Sequence, residues 1–334
     1  MRDFTLTRRA MLARLGAAGA AAALPWSARA AGFPERAIDI VVPTRAGGGA
    51  DRSLRAIANV WEKYLGQKVE PGFFPGASGQ VGYALYTGKR DPDAYSLIYG
   101  NMGPELIGWV LQKPEYRFPE DWVYFFRTDN EPTVCFVRAE SEFQSIEQVV
   151  EAAKKKTLTV GTSRLPHPAS IGILALGEET GAKFNLVPLS GGNKTIAGVM
   201  TGEVDIGVLP AGVKPRTGNQ SRILCVFDRK NPLKDSLDGA PTANEVFGTN
   251  IPSLPSSRAF GIHTKAKMDH PDRLAVLSES LSKTFADPQL KTEVEKAKVA
   301  WETIEAGDEA ACTEYAEGII ALAKKYEPLL TGKG

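Results

Sequence analysis

The chain has 334 residues and a formal net charge of +1, from 40 lysines and arginines against 39 aspartates and glutamates. Hydrophobic residues make up 43% and charged residues 24%, which is typical of a globular protein rather than a disordered or fibrous one. The near-zero charge argues against a nucleic-acid-binding protein, which normally carries a basic excess. Three cysteines are too few for a disulfide scaffold. From the chain length we expect a globular protein of about two domains.

The first thirty residues contain the three parts of a secretory signal peptide. Thr7-Arg8-Arg9 supplies a positive start, an apolar run follows from Leu15 to Leu24, and Ala28-Arg29-Ala30 is a small-residue cleavage site. We favour a twin-arginine signal over an ordinary signal peptide that happens to hold two arginines. The apolar run is too short to span a bilayer about 30 Å thick. Residues 1–30 are therefore predicted to be removed, leaving a periplasmic protein.

Removal of this segment changes the charge balance. It contains five arginines and one aspartate, so a mature chain of 304 residues keeps 35 basic and 38 acidic side chains. Bulk charge would then not attract an anion.

Cys135, Cys225 and Cys312 could be oxidised in the periplasm, or they could be buried apolar side chains.

Short β-branched runs, glycine-rich loops and amphipathic helices alternate along the chain. Residues 37–43 predict a strand, residues 44–50 a glycine loop, and Asp51 the start of a helix that Gly66 ends. Further strands are predicted at 68–70, 95–100, 133–137, 158–160, 184–188, 204–209 and 223–227. This alternation predicts parallel sheets in α/β domains.

Two further signals mark helix starts. Ser145 followed by Gln148 predicts a capping box. Pro271 predicts the first turn of a helix in the C-terminal third, which is richer in helical periodicity than the rest of the chain.

Four glycine-rich loops lie at the predicted carboxyl ends of strands, where open α/β sheets bind their ligands. A loop of this kind before a helix directs backbone N–H groups and the positive end of the helix dipole at one point, which suits a carboxylate or phosphate. The alternative is that the glycines only form tight turns, but four such loops favour a ligand cleft. Neutral donors in these loops are Thr44, Ser78, Thr162, Ser163, Ser190 and Asn193.

Other catalytic and binding motifs are absent from the sequence. It has no P-loop ending, no dinucleotide-binding glycine spacing, no G-x-S-x-G and no H-E-x-x-H. The three histidines have no metal-ligand spacing, so no metal or cofactor is predicted. Ser163 and His167 could act as nucleophile and base, so a periplasmic hydrolase is kept as an alternative, although no acidic residue nearby would orient His167.

Six short motifs occur in order over almost the whole mature chain. They are V-V-P with G-G-G-A-D and Arg55 at 41–55, G-A-S-G-Q-V-G at 76–82, P-D-A-Y-S-L-I at 92–98, L-V-P-L-S-G at 186–191, G-E-V-D at 202–205 and P-T-A-N-E at 241–245. Together they resemble the substrate-binding proteins of tripartite tricarboxylate transporters, also called the Bug receptor family.

The resemblance implies an α/β periplasmic-binding-protein fold of type II, a two-domain clamshell with the ligand cleft between the domains. Residues 31–131 plus 253–334 would form domain 1, and residues 132–252 domain 2. It also implies a non-catalytic receptor that captures a small carboxylate for the membrane permease subunits of a transporter. A receptor for a signalling sensor protein is an alternative. We expect a monomer that binds no nucleic acid.

The resemblance and the loop chemistry together give the candidate ligand-binding residues. They are Arg45, Ala46, Gly47, Asp51, Gly76, Ala77, Ser78, Thr162, Ser163, His167, Ser190, Asn193 and Asp205. Asp205 could equally order the hinge side. Arg45 stands where the family usually has a small or apolar residue, and Leu189 replaces a tyrosine. We therefore expect a substrate that differs from the commoner dicarboxylates.

Overall fold

A computed structural model describes residues 32–332 of the chain. The predicted signal peptide lies outside the described residues. Between residues 32 and 332, no helix is both long enough and apolar enough to cross a membrane.

The strands of the described chain form two sheets. They are β1 Ile38–Val42, β2 Val69–Phe73, β3 Ser96–Asn101, β4 Trp122–Asp129, β5 Thr133–Arg138, β6 Leu158–Thr162, β7 Phe184–Pro188, β8 Ile206–Pro210, β9 Ser221–Val226, β10 Arg258–His263 and β11 Ile304–Gly307. The first sheet has the order β11-β4-β10-β3-β1-β2, and the second has the order β7-β6-β8-β5-β9. The chain leaves the first sheet after β4 and returns to it at β10.

Helices connect most of the strands. They are α1 Gly49–Leu65, α2 Gln80–Lys89, α3 Met102–Gln112, α4 Ile146–Lys155, α5 Pro168–Thr180, α6 Gly192–Thr201, α7 Lys214–Thr217, α8 Ala243–Phe247, α9 Thr264–Asp269, α10 Pro271–Ala286, α11 Gln289–Lys296, α12 Glu309–Lys325 and α13 Glu327–Thr331. Helix α1 packs against α10 and α11, and α3 packs against α12. The predicted helix start at Pro271 is confirmed.

The prediction of parallel sheets is correct for only part of each sheet. β1 runs parallel to β2 and β3, and β6 runs parallel to β7 and β8. β10 is antiparallel to β3 and β4, and β5 is antiparallel to β8 and β9. Both β5 and β10 enter their sheet from the other sheet. The helical crossover that enforces parallel pairing is therefore missing at these two strands.

The first strand and helix follow the sequence pattern closely. The side chains of Ile38 and Val42 are fully buried, and the predicted apolar face of α1 is buried against them. Trp61 lies at the centre of this face, where its indole N–H donates to Ser280 Oγ at 2.8 Å. Gly66 ends α1 with φ at 77°, a left-handed conformation that glycine adopts without strain.

The predicted capping box at Ser145 is wrong. Helix α4 does begin after Ser145, but this side chain makes no capping hydrogen bond to any described residue. Gln148 reaches one residue further back and accepts from the backbone N–H of Gln144 at 2.7 Å. A complete capping box forms instead at Thr242 and Glu245, before α8.

The three cysteines are free and buried. Cys135 on β5 lies opposite Cys225 on β9, and both side chains are fully buried. Burial raises the pKa of the Cys312 thiol to about 12. The structure therefore agrees with the interpretation of these residues as buried apolar side chains.

Candidate functional site

A cleft of about 700 Å³ lies among loops from both sheets. On the side of the first sheet it is lined by the loop after β1 and by the loop before α2. On the side of the second sheet it is lined by the loops that follow β6, β7 and β8. These are carboxyl ends of strands, where the sequence predicted a ligand site.

The loop after β1 leads the N-terminus of α1 into the cleft. Gly48, Gly49 and Ala50 line the cleft at this end. The first N–H groups of a helix lack intrahelical acceptors and carry the positive end of its dipole, so they attract an anion. The Asp51 carboxylate is bound within the protein, because it accepts from Gly47 N at 2.6 Å and from Arg55 Nε at 2.6 Å. Asp51 therefore fixes the shape of the loop.

The loop before α2 has an unusual backbone conformation. Four consecutive residues have positive φ angles, which are 142° at Gly76, 44° at Ala77, 57° at Ser78 and 108° at Gly79. Positive φ is uncommon for alanine and serine and costs on the order of 1 kcal/mol per residue. Successive backbone N–H groups in such turns can converge on one anion. The loop before α6 repeats the feature, with φ at 56° for Ser190 and 120° for Gly191.

The loop after β6 places His167 at the start of α5. His167 is 3% exposed, and its Nδ1 accepts from the backbone N–H of Ala169 at 3.0 Å. Burial, together with the charges of Arg164 and Arg258, lowers the pKa of His167 to about 3. The ring is therefore neutral near pH 7. Because Nδ1 accepts a hydrogen bond, the proton of the neutral ring lies on Nε2, which makes Nε2 a donor.

This arrangement counts against the Ser163–His167 hydrolase alternative. Within residues 32–332, Ser163 and His167 form no hydrogen bond with each other, and Nδ1 of His167 already serves as a helix cap. A nucleophilic serine needs a basic nitrogen within hydrogen-bond reach and a third group that orients the base.

Four arginines that the sequence analysis did not select line the cleft. They are Arg52 on α1, Arg164 after β6, Arg216 on α7 and Arg258 at the start of β10. Two of them could have been found from the sequence, because each is next to a predicted ligand-binding residue. Arg52 follows Asp51 in the first turn of α1, and Arg164 directly follows Ser163. Arg216 and Arg258 had none, because only the tertiary fold brings them to the cleft.

Arg258 forms a buried ionic group with two carboxylates. Its guanidinium contacts the Asp129 carboxylate, and Nη2 lies 3.3 Å from Glu131 Oε2. The backbone N–H of Arg258 also donates to Asp129 Oδ1 at 2.7 Å. Burial raises the pKa of Asp129, and the charge of Arg258 opposes the rise. Arg258 is thus the cation that pairs with two buried carboxylates.

Arg164 joins the two sides of the cleft. It donates from Nη1 to Ser78 O at 2.7 Å, and Nη2 lies 3.5 Å from Glu105 Oε1. Glu105 is 2% exposed and accepts from the Tyr83 hydroxyl at 2.8 Å. Burial raises the pKa of Glu105, while Arg164 and Tyr83 oppose the rise. The positive charge of Arg164 is therefore already matched by Glu105.

Arg52 and Arg216 are both linked to Gly47 of the first glycine loop. Arg52 Nη1 donates to Gly47 O at 3.1 Å. Arg216 donates to Asn193 Oδ1, and Asn193 Nδ2 donates to Gly47 O at 3.2 Å. Burial lowers the pKa of Arg216 to about 10, and the charge of Arg52 contributes to this shift. Both side chains therefore lie near one end of the cleft.

The structure brings about half of the predicted site residues to the cleft. Those that line it are Arg45, Gly76, Ala77, Ser78, Ser163, His167 and Ser190. Those outside its lining are Ala46, Gly47, Asp51, Thr162, Asn193 and Asp205. As ligand contacts, all thirteen remain predictions.

Three of the residues outside the lining have structural hydrogen bonds that explain their positions. Thr162 is fully buried, and its Oγ1 lies 3.0 Å from Ser170 Oγ. Asp205 accepts from the backbone N–H of Thr159 at 2.7 Å. Thr159 is at the amino end of β6, whereas the cleft lies beyond the carboxyl end. Asn193 bridges Arg216 to the first glycine loop, as described above.

Replacing His167 with asparagine is expected to remove a pH dependence from folding. Wild-type His167 has a depressed pKa in the folded state, so the unfolded chain binds the extra proton between about pH 6.5 and 3. Stability should therefore fall with acidification in this window by about 1.4 kcal/mol per pH unit from this residue. Asparagine can still cap α5, so stability at pH 7 should change by less than about 1 kcal/mol.

Urea unfolding at pH 7, 6 and 5 checks this expectation. The variant should lose stability less steeply than the wild type as the pH falls. Parallel pH profiles would contradict a buried, neutral His167.

Comparison with known proteins gives a family and a fold. Residues 53–305 match the sequence profile described as "Tripartite tricarboxylate transporter family receptor". A UPF0065 protein in the gbd 5′ region of Cupriavidus necator is 26% identical over 329 residues, which cover 90% of this chain and 95% of that protein. A UPF0065 protein in the TAR-I ttuE-ttuC′ intergenic region of Agrobacterium vitis is 29% identical over 186 residues, or 55% of this chain. The chain spans about half (54%) of the length of that second relative.

A solved structure has the same architecture. R. palustris Rpa4515, determined with adipate, superimposes with a TM-score of 0.77 at 20% identity, covering 90% of this chain and 98% of that one. At this identity the likeness identifies the fold alone. It confirms the predicted α/β, two-domain periplasmic-binding-protein architecture.

Proposed function

The chain belongs to the tripartite tricarboxylate transporter receptor family, and from this membership we propose that it is a periplasmic receptor for a small organic anion. The anion is a carboxylate, and the receptor delivers it to the membrane permease subunits of a tripartite transporter. In this role the protein is not catalytic. Transport therefore depends on how the cleft binds, closes and releases its ligand.

One observation carries this proposal. The N-terminus of α1, the positive-φ loop at residues 76–79 and guanidinium groups from both sheets surround the same cleft of about 700 Å³. Each of these elements presents hydrogen-bond donors to an anion. A mature chain with more acidic than basic residues needs such local donors, because its bulk charge repels anions. The adipate found with Rpa4515, which shares the fold, supports a carboxylate of this size.

The domain division predicted from the sequence is part of the proposal. Residues 31–131 with 253–334 would move as one body and residues 132–252 as the other, with the hinge at the two crossings. The pairing of Glu131 with Ser256 between the crossing segments is compatible with such a hinge. Closure requires that the ligand binds the closed form more tightly than the open form.

A thermal-shift screen of mono-, di- and tricarboxylates tests the proposed function. A true ligand at a hundred times its Kd should add about 2.7 kcal/mol to the stability of the folded protein and raise its Tm. Ser78→Phe should abolish this rise, because the larger side chain would occupy the cleft beside the positive-φ loop. The matched control is Ser282→Phe on α10, an exposed position outside the cleft.

The screen has a clear negative result. If no carboxylate raises the Tm, or if Ser78→Phe and Ser282→Phe respond equally to the ligand, the proposed function is wrong.

A further inference from the structure

Three guanidinium groups from separate parts of the fold lie at one end of the cleft. Arg258 is on β10 of the first sheet, and Arg52 is on α1, the helix that follows β1 of that sheet. Arg216 is on α7, between β8 and β9 of the second sheet. Arg52 donates to Gly47 O, Asn193 links Arg216 to the same oxygen, and Arg258 Nη2 lies 3.3 Å from where a Cβ on Gly49 would be. Three like charges therefore lie close together at the N-terminus of α1.

Carboxylates at this end neutralise only part of the positive charge. Asp129 and Glu131 both interact with Arg258. Asp51 is bound to Arg55 and to the backbone of its own loop. Three guanidinium groups against two carboxylates leave one positive charge, which lies with Arg52 and Arg216. One negative charge on a ligand would balance it.

Buried donors at the same end also need an acceptor. The Nε atoms of Arg52 and Arg258 and the Oγ1 of Thr44 are buried and have no hydrogen-bond partner among the described residues. All three residues line the cleft. A buried donor that lacks an acceptor is destabilising, and an oxyanion can accept from several donors at once.

The part of the cleft beside residues 76–79 has a different character. Arg164 lies there, but Glu105 and Ser78 O already occupy its guanidinium. The remaining side chains at this end include Leu111 and Leu165, which are apolar. The other cations that line the cleft, Arg45 and Lys298, are exposed, and water and salt screen their charge. A second carboxylate here would meet only the backbone N–H groups of residues 76–79 and no unmatched buried cation.

We propose that Arg52 and Arg216 are the specificity-determining residues of the receptor, and that they hold a single carboxylate of the ligand between the two sides of the cleft. The part of the cleft beside residues 76–79 takes an uncharged part of the ligand. The ligand class is thus an organic monocarboxylate with a neutral far end. This inference rests on the proposed function, because it concerns how the carboxylate is bound. It also explains closure, since the carboxylate relieves the repulsion between Arg52 and Arg216.

Matched acids that differ by one charge test the inference. Isothermal titration of the mature protein would compare butyrate with succinate, hexanoate with adipate, and benzoate with terephthalate, together with the amide of each monoacid. In the pair that binds most tightly, the monoacid should bind at least about tenfold more tightly than the diacid and than the amide. A diacid that binds as tightly as its monoacid, or more tightly, overturns the inference while leaving the proposed function intact. If none of these acids binds but another carboxylate raises the Tm, the inference is wrong and the proposed function stands; if no carboxylate binds at all, both are wrong.

Variants of the two arginines give an independent test. Arg52→Gln and Arg216→Gln should each weaken binding of that monoacid about ten- to hundredfold and should reduce its advantage over the amide. Arg52→Lys keeps the charge but loses the planar fork, so its affinity should lie between those of the wild type and Arg52→Gln. Arg229→Gln is the matched control, because Arg229 is exposed and lies outside the cleft.

Circular dichroism of each variant checks its folding before titration. If Arg52→Gln does not fold, Arg52→Lys and Arg216→Gln still decide the question. Unchanged affinity in the folded glutamine variants would overturn the role assigned to the arginines.

Discussion

Replacing Arg258 with alanine is expected to lower the free energy of unfolding by about 3–5 kcal/mol at pH 7, because it leaves two buried carboxylates without their cation. Arg258 is 8% exposed, Asp129 is fully buried and Glu131 is 2% exposed. Both carboxylates interact with the same guanidinium. Urea unfolding followed by circular dichroism measures the loss, with alanine at Arg36 as the matched control. Arg36 forms an ion pair with Asp93 in which its side chain is 58% exposed, so its loss should cost less than about 1 kcal/mol.

The pH dependence of stability in the Arg258 variant is a second test of the pairing between Arg258 and the buried carboxylates. Burial already raises the pKa of Asp129, and removal of the opposing charge would raise it further. The folded variant then binds more protons than its unfolded chain, so its stability should increase as the pH falls from 7 towards 5. The difference from wild type should therefore shrink in acid. Equal losses in the Arg258 and Arg36 variants, or a difference that grows in acid, would contradict the assigned role of Arg258.

The parts of the fold that the sequence predicted are those with a local cause. β1 is a β-branched run, α1 has an apolar face at helical spacing, and Gly66 supplies the left-handed residue that ends it. Each of these signals is complete within about twenty residues, and no distant contact is needed to interpret it.

The elements that the sequence analysis missed lack such a local signal. Helix α3 is buried over most of its first two turns, so its apolar residues are not confined to one face, and Asn101 before it makes no side-chain capping bond. Strand β10 begins with Arg258, a charged residue where an apolar one is expected. The reason for this arginine lies at Asp129, far away in the sequence.

The candidate ligand site shows the same contrast between features with a local sequence signal and features without one. The glycine loops were predicted because consecutive residues, such as Gly76 to Gly79, determine their backbone conformation. The arginine cluster was not found, because Arg52, Arg216 and Arg258 become neighbours only when the two sheets face each other. A polar residue beside a glycine loop is also ambiguous. Asp51 holds its own loop and Asp205 ties β6 to the start of β8, and in sequence both resemble ligand contacts.

Replacing Arg164 with glutamine is expected to lower both the stability of the protein and its affinity for a carboxylate ligand. The variant loses the cation beside Glu105 and the bond to Ser78 O across the cleft. Breaking a buried ion pair by removing one partner typically costs about 3–5 kcal/mol. The Arg164 side chain is 16% exposed, so we expect a loss near the lower limit, about 3 kcal/mol at pH 7. Urea unfolding measures this loss, and titration of a carboxylate ligand measures the accompanying loss of affinity.

A double variant separates the charge effect from the loss of other contacts. Glutamine at Glu105 can still accept from Tyr83, but it carries no buried charge that needs Arg164. The combined Arg164→Gln and Glu105→Gln protein should therefore be more stable at pH 7 than the single Arg164→Gln protein. In the single variant the pKa of Glu105 rises further, so its stability should increase on acidification, whereas the double variant should not show this gain. Additive losses in the two single variants would mean that Arg164 and Glu105 are not coupled across the cleft.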